Sequence, residues 1–259
     1  MHILTEKPLF SLRFSYYILL TNILFLTMTI YFNGIHNPSA LHGLTLQNEG
    51  RGYTPGYGAA FQTYITPDDD VIQQIASQIS CIEDAYLVAT QWVYVSDYKL
   101  NGTDDQWSSP DEFLTASPSL INNPVPGMVA GDCEEQANTL ATIIRAAGIP
   151  PEEVRVALGV LDNDSMKRGH VWVEVYIYDK WLILDPCSGP YWDDSTGILV
   201  QRKGLPFDYY LTHQYPVQQV TVYYNDVFCY ECGKSSDNLP VHWKQEGKEL
   251  NPVIAGGIE

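Results

Sequence analysis

Positive charge is scarce in this sequence. Fourteen Lys and Arg stand against 31 Asp and Glu, a formal net charge of −17 over 259 residues. Nucleic acid and anionic lipid surfaces are polyanions that such a chain repels, which excludes nucleic acid as a partner. No internal repeat is present, so solenoids and propellers are excluded. The run Asp162-Asn163-Asp164 lacks the glycine and distal glutamate of a calcium loop and reads as a solvated turn. Only one C-x-x-C pair occurs, Cys229 and Cys232, so a structural zinc would need His242, Cys81 or Cys187 to complete it. What is present is a globular composition, 45% hydrophobic and 12% aromatic, in a length that allows one or two domains.

The chain divides by composition. Residues 1–13 carry Lys7 and Arg13, and Phe14 to Phe32 contains no charged residue. Nineteen residues at helical rise nearly span a bilayer's hydrocarbon, so 14–32 is expected to be a transmembrane helix or signal anchor. The preceding positive charges put the N-terminus inside and the rest of the protein outside the cytoplasm, in contact with the membrane through this helix alone. Residues 33–65, rich in Gly, Asn, Thr and Tyr, read as a linker. A folded domain is expected over 66–225, and 226–259 is left as a C-terminal tail that carries the C-x-x-C pair. Thr66-Pro67-Asp68-Asp69-Asp70 is an acidic helix start, and a second helix is expected over about 83–98, packing Leu87, Trp92, Val93 and Val95.

The most informative stretch is Gly131-Asp132-Cys133-Glu134-Glu135. Asp132 and Glu135 are spaced as N-cap and N3, making Cys133 the first residue of a helix. The apolar residues Ala137, Leu140, Ala141, Ile144 and Ala147 then mark one face, and Gly148 with Pro150 ends the run. Unpaired N–H groups and the helix dipole favour a thiolate at such a place. Glu134 and Glu135 oppose it, so the thiol needs a partner base. His170 opens an alternating strand in which Val171, Val173, Val175 and Ile177 form one face, and His170, Trp172, Glu174 and Tyr176 the other. Trp181 to Leu184 returns beside it. A looser turn than Asp179-Lys180 is needed to bring Asp185 beside His170, where a carboxylate would orient the imidazole. Val154 to Leu161 and Val217 to Tyr224 read as further strands of one antiparallel sheet.

These segments resemble the transglutaminase-like superfamily of papain-fold cysteine enzymes. The resemblance rests on Gly131-x-Cys133 at a helix start, Arg145-Ala146-Ala147-Gly148-Ile149-Pro150 at its end, His170-x-Trp172-Val173-Glu174-Val175, and Trp181 with Asp185-Pro186. Upstream, Trp107 and Pro110-Asp111-Glu112 are similar to a segment that often precedes the cysteine in prokaryotic members, while Asn122 to Ala130 is a longer approach to it than usual. The resemblance implies an α+β fold, N-terminal helices with Cys133 at a helix start packed on an antiparallel sheet bearing His170 and Asp185. It also implies a Cys133, His170, Asp185 triad acting on a protein or peptide amide, with Trp92, Trp107 or Gln91 as a second oxyanion donor. No cofactor and no metal is implied. The alternative is a catalytically silent, surface-anchored binding or scaffold protein of the same fold. With Cys133 set apart, Cys81, Cys187, Cys229 and Cys232 are an even number available for disulfides.

Overall fold

The computed structural model describes residues 57–163, 166–234 and 238–244. The segment 14–32, expected to cross a membrane, lies outside these residues; among the described ones no helix is long and apolar enough to do so. Asp164, in the run read as a solvated turn, also lies outside them.

The domain is α+β. Among the described residues nine strands form two sheets: β1 (Val93–Tyr94), β2 (Ala130–Gly131), β3 (Val154–Asn163), β4 (Met166–Ile177), β5 (Lys180–Leu184), β6 (Tyr191–Asp193), β7 (Ile198–Val200), β8 (Val217–Tyr224) and β9 (Cys229–Glu231). The larger sheet is antiparallel in the order β5-β4-β3-β8-β9, and the smaller runs β2-β1-β6-β7. One face of the larger sheet packs on the helix Cys133–Ala146. Its apolar stripe (Ala137, Leu140, Ala141, Ile144) meets Val171, Val173 and Val175 from β4 and Val154 and Val156 from β3, all buried. This is the alternation read from the sequence, now with its two faces assigned. The opposite face of β4 packs Trp172 against Trp181, Tyr223 and Trp243.

Helix boundaries follow their caps. Asp69 accepts a hydrogen bond from the Val71 N–H at 2.9 Å and starts the helix Asp70–Ala76. The expected single helix over 83–98 is instead three elements: a helix Ile82–Ala89, strand β1, and a helix Asp97–Asn101 capped by Ser96. The β-branched Val93 and Val95 favour extended backbone there and pair with the strand leading to Cys133. Leu87, expected in the core, is exposed, whereas Trp92, Val93 and Val95 are buried.

Both flanks join the domain. Residues 57–64, expected as the end of a linker, are helical, and Phe61 stacks on Trp107 with ring centroids 4.6 Å apart. Beyond 226, β9 adds a fifth strand to the sheet, and the turn Val241–Lys244 buries Trp243, whose indole donates to the Glu152 carbonyl at 2.8 Å.

Candidate active site

Cys133 begins the helix Cys133–Ala146, capped as expected: Asp132 accepts from the Glu134 N–H at 3.4 Å and Glu135 accepts from the Asp132 N–H at 3.2 Å. Gly131 is needed immediately before it, because a Cβ there would come within 2.7 Å of the Phe113 ring. The thiol is partly buried and donates to Glu134 Oε2 at 3.3 Å. Among the described residues it makes no hydrogen bond to His170.

His170 and Asp185 do meet. Nε2 of His170 is 3.2 Å from Oδ2 of Asp185, leaving Nδ1 as the ring nitrogen free to face a thiol. The register that achieves this comes from a tight turn and not from the looser one expected. The turn is Tyr178-Asp179, both left-handed at φ 53° and 58°, and Ile177 pairs with Lys180. Continuing that pairing puts Asp185 beyond the strand end, opposite Trp172, on the face of His170 and one diagonal step away. The Asp185 charge and hydrogen bond outweigh burial and raise the pKa of His170; Asp132 adds to the effect. Burial alone would raise Asp185, but His170, the Tyr215 hydroxyl and the Cys187 N–H hold it below the usual carboxylate value.

The Cys133 thiol sits in the opposite kind of field. Burial pushes its pKa well up, and Glu134, Asp132 and Cys187 push it further. Around it lies a cluster of acids. Carboxylate oxygens of Asp97, Asp132 and Glu135 lie within 4.8 Å of one another, as do those of Asp97, Asp105 and Glu134. Burial is the main reason that Asp97 rises to about 7 and Glu134 to about 12, so the cluster retains protons at neutral pH. These are the described residues whose chemistry suits a hard cation. The Cys229, Cys232 and His242 set shows no zinc site: the His242 ring stacks on Tyr176 at 4.1 Å, and its Nε2 is spent on the Glu152 carbonyl. Cys81, Cys133, Cys187 and Cys229 form no disulfide.

The three candidates for a second oxyanion donor lie in different settings. Trp92 is buried edge-on against Phe113, the Trp107 indole donates to Asp105 at 2.9 Å, and Gln91 is exposed. Sequence reasoning does not pick out Tyr94. It pairs with Gly131 in the β1–β2 register, and burial, followed by the negative charge of a Cys133 thiolate, raises the pKa of its hydroxyl. Alternation in β1 was the available signal, since Val93 and Val95 face the core and Tyr94 faces the other way.

Residues 70–186, the segment that holds Cys133, His170 and Asp185, match the family model of the transglutaminase-like superfamily. Two solved structures are similar. Calcium-bound LapG of Legionella pneumophila aligns over 67% of this chain and 94% of its own, at 16% identity and TM-score 0.39. A Cytophaga hutchinsonii protein, provisionally described as a cysteine protease, aligns over 72% of this chain and 60% of its own, at 17% identity and TM-score 0.36. No curated protein matches the sequence.

Proposed function

We propose that the protein is a cysteine hydrolase acting on protein or peptide amides, with Cys133 as nucleophile, His170 as base and Asp185 as the group that orients and charges the imidazole. The observation that carries this reading is the His170 Nε2 to Asp185 Oδ2 contact in a transglutaminase-like domain whose cysteine begins a helix. In the proposed reaction Nδ1 of His170 takes the thiol proton and the thiolate adds to the amide carbonyl. The N–H of Cys133 and the Tyr94 hydroxyl stabilise the oxyanion, and the amine leaves with the proton from His170. Water then releases the acyl group; a lysine amine in its place would make the same intermediate a crosslinking one.

The test is alkylation of the full-length chain by iodoacetamide across pH, with mass mapping. Rapid modification of Cys133 near neutral pH that is lost in His170→Ala supports the reading, and peptide hydrolysis against amine incorporation then separates the two acyl acceptors. The raised pKa of Cys133 favours a second reading, a catalytically silent binding protein of the same fold. A Cys133 that reacts no faster than an ordinary thiol, with or without His170, would establish that one.

A further inference from the structure

The Asp185 carboxylate is buried, yet none of the contacts that hold it comes from a lysine or arginine. Its Oδ1 accepts the Cys187 N–H at 2.9 Å. Its Oδ2, the atom facing His170, also accepts a short hydrogen bond from the Tyr215 hydroxyl. The Asp185 carbonyl accepts from Tyr210 at 3.3 Å, and Tyr210 is tied through the Tyr86 hydroxyl to Ser188. The Cys187 sulfur lies within 4.8 Å of both the imidazole nitrogen and the carboxylate.

Tyr215 reaches this point because of its place in the chain. The helix Phe207–Thr212 has ended, β8 begins at Val217, and Pro216 restricts the residue before it to extended backbone. The ring then packs between Trp172 and Tyr210, at centroid distances of 6.4 and 6.1 Å. Trp172 is the residue opposite Asp185 in the continued register, so a ring packed on Trp172 brings its hydroxyl to the carboxylate.

We propose that Tyr215 is a positioning residue for the candidate active site, its hydroxyl fixing the rotamer and charge of Asp185 so that Oδ2 stays against His170 Nε2. The proposal deepens the reading of His170 and Asp185 as a working pair and rests on it. A donor bonded to the ionised carboxylate favours that form, which burial opposes. The phenol is suited to remain a donor because burial and the neighbouring Asp185 charge keep its own proton on. Groups that act on Asp185 from the surrounding elements are His170, Cys187, Tyr210, Tyr86 and Tyr215 itself.

The test follows His170 rather than turnover. In the full-length chain labelled with 15N-histidine, the ring of His170 is titrated in wild type, Tyr215→Phe, Asp185→Asn and the double variant. Tyr215→Phe keeps the ring packing and removes only the hydroxyl. It should lower the titration point of His170 by about one pH unit, the tenfold change expected for a hydrogen bond to a charged group. In the Asp185→Asn background the same change should add nothing. An unmoved or raised titration point in folded Tyr215→Phe, or an equal shift without Asp185, overturns the proposal. Should Tyr215→Phe fail to fold, the wild-type Tyr215 hydroxyl proton decides. It should be protected from exchange and visible by NMR, and lost in Asp185→Asn; its absence from the wild-type spectrum overturns the proposal. If Cys133 alkylation proves indifferent to His170→Ala, the thiol reading fails while these titrations still report on Tyr215.

Discussion

Two buried clusters of charge in this domain are built on opposite rules. On the outer face of the sheet, Arg155 donates to Glu174 through Nε at 2.8 Å and Nη2 at 2.6 Å, and to the Trp243 carbonyl at 2.8 Å. Its guanidinium lies 3.8 Å from the Trp181 ring centroid and 3.6 Å from that of Tyr223. Opposite charges face each other and the donors are matched by acceptors. At the start of the Cys133 helix Asp97, Glu134 and Glu135 are buried acids, and among the described residues none of them forms a salt bridge. A charge kept for structure is neutralised locally, whereas the acids at the thiol remain unbalanced and therefore responsive to protons, to cations and to an imidazolium.

The comparison breaks most sharply at the nucleophile. Cys133→Ser or His170→Ala is expected to reduce thiol-dependent hydrolysis by roughly two to four orders of magnitude with the fold retained, as checked by steady-state kinetics beside circular dichroism. At the balanced cluster, Glu174→Ala removes the carboxylate that two Arg155 donors meet and should cost about 3–5 kcal/mol in urea unfolding. Replacing Arg155 and Glu174 together by apolar residues of similar volume should cost far less, and an equal cost would refute the pairing argument.

A smaller effect is expected at Gly159, where β3 bulges against β8 opposite His170. A Cβ there would sit 2.2 Å from the Gln219 carbonyl and 2.8 Å from the Trp172 ring. Gly159→Ala should therefore destabilise by about 1–3 kcal/mol and disturb the His170 titration through Trp172. At the unbalanced cluster, Glu134→Gln mimics the protonated acid and should change stability at pH 7 by less than about 0.5 kcal/mol. The sign of its pH dependence is set by acids whose folded pKa is raised. Between the unfolded values near 4 and the folded value of about 7 for Asp97, the folded state binds more protons, so this cluster loses stability as pH rises. Asp185, held low, acts in the opposite sense and loses its contribution as pH falls below the ordinary carboxylate range. Unfolding curves in calcium against chelator at pH 7 would measure whether a hard cation relieves the same repulsion.

The parts legible in the sequence were those written locally. The N-cap pair around Cys133, the alternation from His170 and the strand Val217–Tyr224 need only neighbours in sequence to be read, and each lies where that reading put it. The β4–β5 register was not legible, because Tyr178 enters a left-handed turn that its residue type does not announce. The overrun of the helix beyond Ala89 has a similar cause: Trp92, Val93 and Val95 are apolar enough for a helix face, and only pairing with β2 and β6 decides for strand. Tyr215, Tyr94 and the acids Asp97 and Asp105 join the site from segments far from Cys133, so no short motif contains them.

The Trp243 contact also sets a schedule for biosynthesis. Arg155 precedes Trp243 by 88 residues. At about 5–20 residues per second, Trp243 is made roughly 4–18 seconds after Arg155 and about 1–4 seconds after Tyr223, the last of the rings it covers. Only in the last of that interval, once Tyr223 is made, does the nascent sheet carry its whole aromatic face uncovered, a brief opening for chaperones.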